Sequence, residues 1–187
     1  MPLHGTEGPL KISDGEHRHE LSGAFIRVAQ ESGHLDGRPI HFNSDFNGDV
    51  QDGIGYDQTF SHRGERISSA SAYLKEARKR SNLSVRTDSM VTEISIESNR
   101  ATGVVVRSGH AHRRILTHRE VMLCAGAFTS PKILMLSGVA PAEHLRDMGI
   151  DVKCDLPGVG ENYRDHLISP VDAVLADPIS FIGQDRD

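Results

Sequence analysis

A mixed α/β fold of the α+β kind is what this sequence predicts, and three observations predict it. Short β-branched segments separated by turn residues fill positions 83 to 117, as in an antiparallel meander. Glu120 to Gly138 reads as an apolar run, a small-residue turn and a helix. Two segments with helical apolar spacing precede both.

In chain order, His4-Gly5-Thr6-Glu7-Gly8-Pro9-Leu10 is a turn-rich opening, with a short strand expected at Leu10 to Ile12. Glu20 to Ser32 places Leu21, Ala24, Phe25, Val28 and Ala29 at helical spacing, and Gly33 follows as a stop. From Ile40 to Tyr56 the text is dense in Asn, Asp and Gly, which is loop chemistry. Ser68 to Lys79 is a helix with Ala70, Tyr73, Leu74 and Ala77 on one side. Lys75, Glu76, Arg78 and Lys79 form its solvated face. The meander strands are Leu83 to Arg86, Met90 to Ile96, Gly103 to Arg107 and Ile115 to Thr117, parted by Asn99-Arg100 and Gly109-His110.

The organising stretch comes next. Val121, Met122, Leu123 and Cys124 form an apolar run without polar alternation, the mark of a strand covered on both faces of a parallel sheet. Ala125, Gly126 and Ala127 follow, and Gly126 permits a sharp turn. Ser130-Pro131 reads as a helix start, with a hydroxyl for an orphaned amide and a proline of fixed φ. Ile133, Leu134 and Leu136 give an apolar face, and Gly138 ends the helix. A helix N-terminus behind a small-residue turn attracts phosphate, although the same unit occurs in any α/β core. Beyond it lie a helix at Ala142 to Met148, an extended piece at Ile150 to Cys154, an ordered loop at Leu156 to Asn162 and a strand at Val171 to Leu175. The loop is not a dinucleotide fingerprint, because GxGxxG fails at Tyr163.

A chain of 187 residues with formal charge -5 and pI near 6.1 fits one soluble domain or pieces of two. That charge argues against nucleic acid or an anionic membrane as the main partner. No apolar run reaches the length of a membrane span, and the opening residues lack the layout of a signal peptide, so the compartment is left open. Cys124 and Cys154 make no disulfide framework; a reducing compartment or plain buried thiols are expected. Asp45, Asn47, Asp49 and Asp52 have the wrong spacing for a calcium loop, and no metal is expected. The pairs His17/His19 and His110/His112 read as exposed polar residues. His166 beside Asp165 has the composition of an oriented base, yet neighbours on an extended chain point to opposite faces. A stand-alone hydrolase is disfavoured, since no nucleophile elbow is present.

GAFTSPKILMLSGV followed by DLPGVGENYRDH resembles the glucose-methanol-choline (GMC) family of FAD-dependent oxidoreductases, in particular its choline-dehydrogenase-like members. Similar text in the same order occurs at His4 to Leu10, Asp45 to Gly48, Gly64 to Leu74 and Val85 to Val91, so the resemblance spans nearly the whole chain. Ala140 stands where the family usually has glycine, and Tyr163-Arg164 where it usually has Leu-Gln.

The resemblance implies a middle slice of an enzyme that oxidises the CH-OH group of a small-molecule alcohol and passes hydride to FAD. Residues 1–60 would be a substrate-domain-like segment and 61–150 a partial FAD/NAD(P)-binding domain with the meander. Residues 151–187 would be a connecting loop and the start of the substrate-domain sheet. It implies Val91 on the adenine side of FAD, Cys124, Ala125, Gly126 and Ala127 bordering the same cofactor, and Asn162 with Asp165-His166 in a loop near it. The GxGxxG segment and the catalytic-histidine segment of the family are not in these residues, so no residue here inherits the catalytic role. The expectation is a fragment, inactive alone, that needs complementing N- and C-terminal segments. The alternative is a non-catalytic binding module derived from a flavin domain. Flanking coding DNA that encodes GxGxxG upstream and the catalytic-histidine segment downstream would mark the fragment; a monodisperse, cooperatively folding product would mark the module.

Overall fold

The computed structural model describes residues 3–15 and 18–170, with 174, 176 and 179. The chain forms two compact units, Met1–Val85 with Val174–Asp187, and Arg86–Ala173.

The first unit holds helix α1 (Glu20–Ser32), bounded as its apolar spacing predicts. His19 caps it, with Nδ1 accepting the Leu21 amide at 3.2 Å, and the Gly33 amide closes it on the Ala29 carbonyl. His19 is therefore buried, contrary to the exposed position expected of it: an imidazole nitrogen does here what a serine oxygen usually does. His17 lies outside the described residues. Ile26 is buried while Phe25 and Val28 stay exposed, so the apolar face of α1 is only partly covered.

Extended pairing in this unit is brief. Ser13–Asp14 pairs with Gln58–Thr59, His34–Leu35 with Arg38–Pro39, and Ser61–His62 with Glu65–Arg66. The strand expected at Leu10 to Ile12 sits at Ser13–Asp14 instead, where the Ser13 hydroxyl also reaches Ser61. In the Asn/Asp/Gly-rich loop, buried Asn43 donates to the Val50 and Asp52 carbonyls and accepts the Asp45 amide. The helix expected at Ser68 to Lys79 is a π-helical turn, Ala70–Leu74, running into α2 (Lys75–Ala77). Ser68 and Ser71 bond each other's backbone at its start, a local competition that loosens regular helix.

The second unit is built on the meander: β1 (Met90–Glu97), β2 (Arg100–Ser108) and β3 (Ala111–Leu116), antiparallel in that order. Ser98 and Asn99 take φ of +48° and +60°, as a tight hairpin between right-twisted strands demands. Leu83 to Arg86 forms no strand; the Leu83 amide closes a turn on Arg80. Helix α3 (Gly126–Leu136), β4 (Val139–Ala140), α4 (Ala142–Asp147) and β5 (Cys154–Asp155) complete the unit, with β4 and β5 parallel. Ala140, Leu145 and Val159 form its core, with Leu134, Met135, Ile150 and Val152 packed against them. The methyl of Ala140 is thus a core group, fully buried.

Ser137 joins α3 to the sheet. Its buried hydroxyl donates to the Ile133 carbonyl and accepts the Ile94 amide of β1 at 2.8 Å. Gly138 follows with φ +84°; a Cβ there would stand 2.4 Å from the Asp151 carbonyl oxygen, so the turn into β4 needs glycine.

Three expectations fail in this unit. Val121 to Cys124 is not a strand: it has no pairing partner among the described residues, and Met122 is 79% exposed. A strand's backbone groups need a neighbour, and here none covers them. Cys124 is accordingly exposed rather than buried, and Cys154, on the short strand β5, is exposed as well. Ser130-Pro131 is not the helix start, because α3 begins at Gly126 and holds Pro131 inside. The Ser130 hydroxyl still accepts an orphaned amide, that of Ala125 at 3.0 Å, by reaching back over the first turn. The strand expected at Val171 to Leu175 falls, Val174 apart, outside the described residues.

Candidate functional site

The site is built at the N-terminal end of α3. Gly126 takes φ +85°, a value that favours glycine, and no atom lies within 4 Å of where a Cβ would point. The first turn of α3 has no side-chain cap on its own amides, which leaves them free to face an anion. Ala127 and Phe128 follow on the same turn, with Phe128 73% exposed.

The loop after β5 comes back to this helix. Val159 enters the core, which anchors the loop, and Asn162 adopts φ +57°. Tyr163 then lies against Phe128, ring centroids 4.8 Å apart and planes tilted by 30°. Between helix and loop runs an open cleft of about 710 Å³, mostly apolar, with Ala127, Phe128, Met135, Asn162, Tyr163 and Arg164 among its walls.

Of the residues expected at a cofactor, Ala127 and Asn162 meet in this cleft, although 35 positions separate them. Cys124, Ala125 and Gly126 lead into it along the chain but do not line it. Val91 lies on β1, one of the two edge strands of the meander, whose side away from β2 supplies the Ile94 amide to Ser137. Asp165 accepts the backbone amide of His166 at 2.8 Å, and no bond joins it to the imidazole among the described residues. This arrangement can hold a planar or anionic group; it assembles no nucleophile and base.

Phe128, Tyr163 and Ser137 escaped the sequence reading as site-forming residues. The first two are unremarkable in their local text and gain a role only when Val159 docks the loop. Ser137 had a legible signal, a small polar residue just before a helix-ending glycine.

A second cleft, of about 600 Å³, lies in the first unit beside His4, Lys11, Asn47, Gln58 and Phe60. His4 Nε2 meets Asp45 Oδ2 at 2.6 Å at its side. That hydrogen bond, aided by the Asn47 amide and opposed by partial desolvation, holds the Asp45 carboxyl below its ordinary value. Among the described residues, no helix is long and apolar enough to cross a membrane.

Comparison with known proteins gives consistent results. The family profile described as GMC oxidoreductase matches residues 3–168. The oxygen-dependent choline dehydrogenase of Sinorhizobium fredii is 41% identical over 176 residues, covering 94% of this chain and 31% of that protein. The mitochondrial choline dehydrogenase of Homo sapiens is 40% identical over 177 residues, 94% of this chain and 29% of its own. The crystal structure of pyridoxine 4-oxidase from Mesorbium loti superposes with a TM-score of 0.74 at 29% identity, over 82% of this chain and 29% of that one. The chain thus spans about a third of the length of the curated relatives it matches.

Proposed function

The chain belongs to the GMC oxidoreductase family, and from that premise we propose that it supplies part of the FAD-binding face of an enzyme oxidising the CH-OH group of a small alcohol. The observation that carries this is the meeting of Ala127 and Asn162 in one cleft at the start of α3, within a stretch matched by the family profile. Bound FAD would supply the hydride acceptor for that oxidation.

The residues present fit part of that cofactor. An edge strand with no further strand beside it among the described residues, where Val91 lies, suits the hydrogen-bonding edge of an adenine. The open space over Gly126 and the uncapped amides of α3 suit the approach of an anionic group. Asn162 and Tyr163 close the far wall, and the Phe128 contact holds that wall to the helix. We assign the pyrophosphate-holding turn to a complementing N-terminal segment and the proton-transferring groups to a C-terminal one. On this reading the meander and α3 belong to the FAD domain, and the opening segment to the substrate domain.

The test is a visible spectrum of the purified chain, before and after FAD is added, alone and co-expressed with the complementing segments. Alone, the chain retains little or no flavin. Co-expressed, it carries a perturbed flavin band, and Gly126→Val weakens flavin retention by forcing a β-branched residue into a positive φ. A co-expressed complex that folds and stays colourless sinks the proposal and favours a non-catalytic module.

A further inference from the structure

We propose that the outer edge of the meander, β3, takes an extended acidic segment of another polypeptide as an added strand. β3 has β2 on one side and no strand on the other, so one row of its backbone groups is unpaired among the described residues. It is also exposed at Ala111 to Arg114 and at Leu116.

The two faces of that edge differ in chemistry. Cross-strand partners share a face. His112 therefore lies beside Arg107, and Arg114 beside Val105, on one face. Ile115 lies beside Val104, and Arg113 beside Val106, on the other. The first face is cationic along β3, with Glu93 on the far strand β1; the second continues into the buried Ile94 and Val106, with Arg113 at its rim. An added strand alternating acidic and apolar side chains matches both at once.

Charge complementarity selects the partner. Positions 100 to 119 hold five arginines and three histidines and no Asp or Glu, in a chain whose formal charge is -5. Arg114 is engaged with Glu97 and Thr102, and Arg107 reaches the Met90 sulfur. Arg113 and Arg119 have no ion pair among the described residues. Like charge on this edge repels the same edge of a second copy, while an acidic strand is drawn to it. Nucleic acid fits less well, because positions 86 to 127 hold no Phe, Tyr or Trp ring on which a base could stack.

The experiment is fluorescence anisotropy of the whole chain with a labelled peptide of alternating Glu and Val. The same peptide N-methylated at alternate amides, in each of the two registers, serves as comparison. Saturable binding is expected, weakened about tenfold by one methylated register, the one whose amides face β3. His112→Glu with Arg113→Glu, both at exposed positions, weakens it by about tenfold or more with circular dichroism unchanged. Equal binding of the parent and both methylated peptides would mean charge attraction without strand addition, and overturns the proposal. So does an absence of saturable binding, an unaffected charge-reversed variant, or tighter capture of single-stranded RNA than of the peptide.

Discussion

The two units keep their shape by different means. Among the described residues, the second unit buries Ile94, Val106, Ile133, Ala140, Leu145 and Val159, and its long ladders run over whole strands. The first buries Ile26 as its one core hydrophobe, its pairings are two residues long, and its buried polar groups are His19 and Asn43. Apolar burial is cooperative and tolerant of surface change, whereas a polar bracket is local and depends on each partner. Hence one unit should unfold as a block and the other should open piecemeal.

The strongest way to break the contrast is Leu145→Ala. The side chain is fully buried beside Ala140 and Val159, so truncation is expected to destabilise the second unit by about 2–5 kcal/mol. Urea unfolding followed by circular dichroism reads it; a loss well below that range would mean the core collapses onto the gap.

A sharper comparison sets Ser137→Ala against Asn43→Ala. Each removes a buried bracket: Ser137 leaves the Ile94 amide without its acceptor, and Asn43 leaves the Val50 and Asp52 carbonyls and the Asp45 amide. An unsatisfied buried group costs about 1–3 kcal/mol, so the equilibrium penalties should be similar. Their reach should not be. Amide exchange is expected to rise across β1 and α3 in the first variant, and only between residues 43 and 54 in the second. Equal spread in both would abolish the distinction between the units.

The same contrast explains what was legible in the sequence. Glu20 to Ser32 and the meander follow from periodicity and turn residues, because local pattern and packing agree there. Val121 to Cys124 misleads for the opposite reason: its composition is that of a sheet interior, but a strand exists only with neighbours, and none pairs with it among the described residues. The α3 boundary was misplaced because Ser130 caps from inside the helix, a geometry that its order in the sequence hides. Of the site, family text pointed to Ala127 and Asn162, and both line one cleft. Phe128 against Tyr163 was not legible, because the contact depends on a loop anchored by Val159, 33 residues beyond the helix start.

The smallest effect concerns the polar unit alone. The His4 hydrogen bond to Asp45 depresses the carboxyl's value below the ordinary 3.8, against the pull of desolvation and with help from the Asn47 amide. A carboxylate depressed in the folded state adds stability that is present above its unfolded value and lost as pH falls through the folded one. The clasp should therefore hold through neutral and mildly acidic conditions and release below about pH 4. Both side chains face solvent in part, so the readout is local: the Asp45 carboxyl carbon shift followed by NMR against pH. His4→Ala should move that titration upward, because it removes the hydrogen bond that lowers the carboxyl most. An unmoved midpoint would assign the depression to the Asn47 amide and leave the opening turn unclasped.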